Sequence, residues 1–279
     1  MIGCLVATSC SLIGSFLVLR NTSMISDAIS HAVLPGIVIG YLISGSLSSP
    51  LLLLGAGITG ILATLLIQVL DKMIGLQNDA AIGVTLTFLF AVGVILISLF
   101  TADSDLDMDC VLYGEILNTP FDKPETNTFL DLAPTSFYQQ IIILLIIISF
   151  IIIFYKELKI TSFDPAYASS IGIKTKFIHY GLMSLVSFIT VAAFEAVGAI
   201  LVICFMITPA ATAFLVSKRL IHMIGMSIFF GIASIIIGYY LSAAISDTSL
   251  SATMAVVSGL LFCITVSINL LVKKSIKLK

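Results

Sequence analysis

Asp27 and His31 stand four residues apart in the segment SMISDAISHAVLPG, inside an otherwise apolar stretch. On a helix that spacing puts both side chains on one face, one turn apart. A carboxylate plus an imidazole suits Mn(II), Zn(II) or Fe(II). Magnesium and calcium call for more oxygen donors, and Cu(I) for thiolate or thioether. Two donors do not close a site, so a symmetric second copy or a partner subunit would have to supply the rest. The same pair can also relay protons or hold helices together, and the residue types alone leave all three roles open. Ser23, Ser26 and Ser30 add to a polar stripe, and Pro35 and Gly36 can kink the helix and free backbone carbonyls.

A third ionisable residue, Glu195, opens the segment EAVGAILVICFMITPAATAFL. Two readings fit it: a carboxylate favoured by the N-terminal dipole of the following helix, or a further ligand on a metal path. Downstream, Gly198, Ala199, Ala210, Ala211 and Ala213 permit close helix packing, and Pro209 is expected to kink the span with Thr208 compensating. His179 and His222 fall near span ends and need no special role. A different kind of signal lies in KELKITSFDPAYASSIGIKTK, where Asp164 reads as an N-cap and Pro165 as the first helical residue. With Gly172 as the stop, the pattern predicts a short helix over about 165–171 between basic flanks.

The elements that carry these residues are apolar helices. Of 279 residues, 59% are hydrophobic and 10% charged, with a mean hydropathy of +1.19. A soluble domain carries about 25% charged residues, so this chain is built for lipid. Runs such as Leu51 to Leu70, Ala80 to Phe100 and Ile141 to Tyr155 approach or reach the ~20 residues that span a bilayer as a helix, without the alternation of a barrel strand. Nine spans are expected, at roughly 2–19, 25–46, 50–70, 80–101, 138–155, 177–194, 196–216, 223–244 and 252–272. The sixth and seventh are nearly continuous, so the count is eight or nine. Placing the C-terminus in the cytoplasm puts every Lys and Arg there except Lys123, and the N-terminus outside. Arg20 then marks the cytoplasmic boundary, and His31 lies roughly 16 Å into the bilayer, near its middle.

The largest external segment, about 103–137, is rich in Asp and Glu, and is either a solvated loop or a docking surface and weak cation funnel. Its Asp residues at 103, 105, 107 and 109 lack the glycine of a calcium loop. Four of the five cysteines, Cys4, Cys10, Cys204 and Cys263, lie in apolar runs as small fillers; Cys110 is in a polar segment, and there is no CxxC. The N-terminus shows no basic region or cleavage site of a removable signal peptide. A net charge of −2 excludes a basic nucleic-acid surface. No HExxH pair supports an intramembrane protease, and no GxxxxGK[ST] loop binds nucleotide, so any ATP would be bound by another polypeptide.

The segments GSFLVLRNTSMISDAISHAVLPGI, DMDCVLYGEIL, FDPAYASSIGI and EAVGAILVICFMITPAATAFL together resemble the membrane subunits of bacterial ABC transporters for manganese, zinc and iron uptake. The resemblance runs from near residue 12 to the end with the motifs in order. It implies an all-α bundle of the type II importer kind, a single permease domain over 1–279, in the bacterial plasma (inner) membrane. It also implies a homo- or heterodimer of permease subunits, cytoplasmic ATP-binding subunits and an extracytoplasmic metal-binding protein. The chain itself would be no enzyme and hold no permanent cofactor, the divalent ion being its transported substrate. By the same resemblance Asp27 and His31 are metal-path ligands, Glu195 falls in a matching segment, and the family's coupling helix maps to Asp164 through Gly172, with Pro165, Ala166, Tyr167 and Ala168, inside a cytoplasmic segment of about 156–176. Its external docking side includes the 103–138 stretch. A proton-coupled secondary metal transporter is the competing reading, with Asp27 and His31 as the relay. A permease for siderophores or organometallic cofactors would instead favour a wide apolar cavity.

Overall fold

The computed structural model describes residues 1–45, 50–100, 135–244 and 249–277, with the backbone alone at Pro50, Leu53, Thr135, Ser136, Glu195 and 272–277. Among the described residues every regular element is a helix. In chain order these are α1 (Ile2–Leu19), α2 (Ser23–Ala32), α3 (Leu34–Ser44), α4 (Pro50–Lys72), α5 (Asn78–Phe100) and α6 (Thr135–Ile153). There follow α7 (Tyr155–Phe163), α8 (Pro165–Ser170), α9 (Thr175–Val197), α10 (Ala199–Val216), α11 (Leu220–Ala244) and α12 (Leu250–Lys277). Among the described residues eight spans are long and apolar enough to cross a membrane, with α2 and α3 counted together; α6 and α7, bent by 73° at their junction, make a ninth if taken as one. The external stretch expected at 103–137 lies almost wholly outside the described residues.

The sixth and seventh spans, nearly continuous in sequence, are two helices because Gly198 separates them at φ 81°. Only glycine occupies that left-handed backbone region without a Cβ penalty. This break corrects one reading of Glu195. Its backbone lies near the end of α9, not at the start of the next helix, so the N-terminal dipole does not act there and the nearer C-terminal dipole disfavours an anion. A second addition is α7: Lys156, Glu157 and Lys159 make the stretch read as a connector, yet Leu158 and Thr161 are buried at helical spacing.

By backbone packing the chain divides into two compact units. The first holds residues 1–19, 109–150 and 193–279. In it α10 packs against α1, α11 and α12. Gly14 of α1 lies directly against the backbone carbonyl of Met206 in α10, and the Ser227 hydroxyl of α11 donates to the Ser11 carbonyl at 3.3 Å. Small residues at crossings let backbones approach and gain dispersion where no hydrophobic effect drives association. α10 stays helical through Pro209, and the Thr212 hydroxyl donates to the Thr208 carbonyl at 2.8 Å.

The second unit holds residues 20–108 and 151–192. Its centre is the crossing of α3 and α4, where Gly36 and Gly55 meet backbone to backbone, and Gly40 packs over Leu51 and Leu52. α5 packs along α2, α3 and α4, with Leu34 filling the space beside Gly93. Ala32, Ala63 and Leu89 form a buried knot where α2, α4 and α5 meet, and Leu66 packs against it. This knot anchors the inner face of α2 and leaves its outer face open.

Candidate functional site

α2 is short because two features bracket it. It starts after Arg20, Asn21 and Thr22, where Asn21 takes a left-handed φ of 54°, a conformation asparagine tolerates better than most side chains. It ends where Val33 passes into α3 and Pro35 occupies the first turn of the new helix. Proline has no N–H to offer the carbonyl four residues earlier, which is that of His31. The helix is thus interrupted at Val33, just beyond the pair. Thr59 of α4 reaches the neighbouring Val33 carbonyl only at 3.5 Å.

Burial divides the polar residues of α2 into two sets. Ser26 and Ser30 are buried, and their hydroxyls donate back along the helix, to the Ser23 carbonyl at 2.6 Å and the Ser26 carbonyl at 2.8 Å. They belong to the packed side with Ile25, Ala28, Ile29 and Ala32. Asp27 and His31 are on the other side, still 44% and 33% exposed. The single polar stripe expected from the sequence is therefore two: a satisfied inner one of serines and an outer one of ionisable groups.

The Asp27 Oδ1 and His31 Nε2 atoms stand 3.9 Å apart. That is beyond hydrogen-bond reach, and among the described residues no hydrogen bond reaches either side chain. The imidazole is steadied by the Phe90 ring of α5, edge to face at 6.1 Å between centroids. Metal–nitrogen and metal–oxygen bonds near 2.1 Å would put two tetrahedral donors roughly 3.4 Å apart. A closing of a few tenths of an ångström by side-chain rotation brings these two donors to one ion. No third His, Cys, Asp or Glu joins them among the described residues. The pair therefore offers two donors, short of a closed metal site, and is open on the side away from its own core. The Glu195 side chain lies outside the described part of the structure.

The segment expected at the cytoplasmic side folds as its sequence dictates. Asp164 Oδ1 accepts from the Tyr167 N–H at 2.9 Å, Pro165 stands in the first turn, and α8 ends with Gly172 at φ 84°. The Ile173 N–H closes back on the Ala168 carbonyl at 3.0 Å. Ala168 is fully buried, while Tyr167 and Ile171 project outward together with Phe163 at the end of α7. These three exposed side chains, all large and mostly apolar, lie at the end of α7 and along and just past α8.

Sequence reasoning missed the contacts of Arg20. Its Nη2 donates to the Thr161 Oγ1 at 2.7 Å and its Nε to the Ser162 Oγ at 3.0 Å, both on α7. More than 140 residues separate the partners, and no local signal announces the pairing.

Comparison with known proteins fits this architecture. The chain is 43% identical over 260 residues to the manganese transport system membrane protein MntD of Bacillus subtilis, covering 93% of this chain and 87% of that one. It is 41% identical to the zinc transport system membrane protein TroD of Treponema pallidum, over 95% of this chain and 71% of that one. Among solved structures, PsaBC from Streptococcus pneumoniae in complex with Fab superposes with a TM-score of 0.78 at 31% identity, covering 95% of this chain and 88% of that chain. The family model of the ABC 3 transport family matches residues 1–269, and the chain belongs to that family.

Proposed function

We propose that this chain is the membrane-spanning permease subunit of an ATP-driven importer in the bacterial plasma membrane, and that its cargo is a divalent transition-metal ion. Manganese and zinc are the metals named for its relatives, and a carboxylate with an imidazole also accommodates Fe(II). Residues 1–279 act as one permease domain, and ATP is hydrolysed on separate subunits.

The observation that carries the reading is the Asp27–His31 pair. Two metal-competent donors sit 3.9 Å apart in a membrane span interrupted at Val33, without a hydrogen bond among the described residues and open on one side. An ionisable pair left so in a span is costly unless it is used. Two donors also hold an ion weakly enough to release it, as conduction requires. The missing donors come from outside the chain, and a second permease subunit of the same or related sequence supplies them by symmetry. The exposed Phe163, Tyr167 and Ile171 side chains around α8 are the surface offered to a cytoplasmic ATPase, and Glu195 remains a secondary candidate on the ion path. The acidic 103–137 stretch is the docking side for an extracytoplasmic metal-binding protein. A proton-coupled carrier with the same pair as relay is disfavoured, because family membership ties the chain to ATP-driven transport.

The test is uptake of radiolabelled Mn(II) and Zn(II) into proteoliposomes holding the complete transporter. Asp27→Ala and His31→Ala should each lower ATP-dependent uptake by on the order of 10- to 100-fold with the complex still assembled. Normal uptake by both variants would remove the pair from the ion path.

A further inference from the structure

We propose that Arg20 is the positioning residue that carries motion of the cytoplasmic α7–α8 unit to α2, the helix bearing Asp27 and His31. The inference rests on the reading of α8 as the contact for the ATPase and goes beyond it, since it names the joint between that contact and the ion ligands.

The geometry is a directed one. Thr161 Oγ1 donates its proton to the Glu157 carbonyl at 2.7 Å, and Ser162 Oγ donates to the Leu158 carbonyl at 2.6 Å. A hydroxyl has one proton and two lone pairs, so both oxygens are left as acceptors, and the guanidinium of Arg20 takes both. The planar fork of arginine spans two acceptors at once, which the single ammonium of lysine does not. No carboxylate pairs with Arg20 within 4.0 Å among the described residues. Burial lowers its pKa to about 10, which leaves it charged at neutral pH.

Both ends of the link are short and stiff. Toward the ion ligands, Arg20 stands three residues before the first residue of α2 and one turn plus those three before Asp27. Toward the cytoplasm, Ser162 is two residues before Asp164, which caps α8. α7 and α8 pack on each other with Leu158 and Ala168 fully buried. The start of α7 is tied to α9 through the edge contact of Phe154 and Phe177. A displacement of α8 therefore moves Thr161 and Ser162, and through two hydrogen bonds it moves Arg20, three residues ahead of α2. Bonds to neutral hydroxyls are weaker than bonds to a carboxylate, so the link can be broken and remade during a transport cycle.

The competing role for Arg20 is that of a cytoplasmic charge that merely sets topology. Two variants separate the roles in proteoliposomes with ATPase, binding protein and Mn(II). Arg20→Lys keeps the charge and loses the fork. The double variant Thr161→Val, Ser162→Ala removes the acceptors and leaves α1 and α2 untouched. Each should hydrolyse ATP in response to the Mn(II)-loaded binding protein, yet import about tenfold fewer Mn(II) ions per ATP. Thr161→Ser, which keeps the acceptor, should retain the wild-type ratio. An unchanged ratio in Arg20→Lys and in the double variant would overturn the inference while the proposed function stands. A wild-type complex without ATP-dependent uptake would overturn both.

Discussion

Pro209 lies within α10, which runs unbroken from Ala199 to Val216, whereas Pro35 stands where α2 has just given way to α3. Both are buried prolines in apolar spans. The difference is confinement. α10 is packed by α1, α11 and α12 together. The loss of one helical donor is absorbed where neighbours hold the backbone on several sides. α2 and α3 are held on one side by the Gly36–Gly55 crossing and the Ala32, Ala63 and Leu89 knot, and expose Met24, Ile39, Leu42 and Ile43 on the other. There the proline splits the helix, one turn past two ionisable groups. The same residue is a tolerated defect in one unit and borders the proposed ion ligands in the other.

The largest effect should come from attacking what holds the broken span. A Cβ at Gly36 would run into the backbone carbonyl of Gly55 and the Thr59 hydroxyl, neither of which is the free end of a flexible side chain. Gly36→Val should cost on the order of 3 kcal/mol, the upper end of overpacking penalties. The readout is thermal unfolding of the detergent-purified complex, alongside uptake, and both should fall. If the variant melts and transports like wild type, the close crossing is not what sets α2 in place.

The two prolines themselves give the next effect. Pro35→Ala restores an N–H opposite the His31 carbonyl and rejoins α2 to α3, so uptake should drop by about tenfold, equivalent to ~1.4 kcal/mol. Pro209→Ala restores a bond in a helix that is already continuous and should leave uptake within about twofold. Equal responses, measured as initial rates of Mn(II) entry at matched protein level, would abolish the distinction drawn between the two units.

What the sequence made legible was local or periodic. The Asp164 cap, Pro165 and the Gly172 stop are written within nine residues and appear as expected. The spans follow from apolar length, and the i, i+4 spacing of Asp27 and His31 fixes their shared face. What stayed hidden depends on long-range packing. The Arg20 fork joins partners 141 and 142 positions apart. The buried side of Ser26 and Ser30 is set by α4 and α5, one residue off the register of the ionisable pair. α7 looks like a connector until packing shows Leu158 and Thr161 buried at helical spacing. Glu195 was misplaced relative to its helix because a glycine break can end one helix or begin another, and only the backbone path tells which.

The smallest expected effect sharpens the division within α2 itself. Ser26 and Ser30 are chemically polar and adjacent to Asp27 and His31, yet their hydroxyl protons go to carbonyls of their own helix at 2.6 and 2.8 Å. Replacing them by alanine returns those carbonyls to ordinary helical bonding and removes a small buried group. The cost should be under about 1 kcal/mol, since even polar side-chain hydrogen bonds between membrane helices average only ~0.6 kcal/mol. A Ser26→Ala, Ser30→Ala double variant should therefore import Mn(II) within about twofold of wild type, while single changes at the neighbouring positions 27 and 31 remove most of the transport. Loss of uptake in the double variant, with a normal melting profile, would mean that the serines swing outward to the ion during transport and that the metal path takes in both faces of α2.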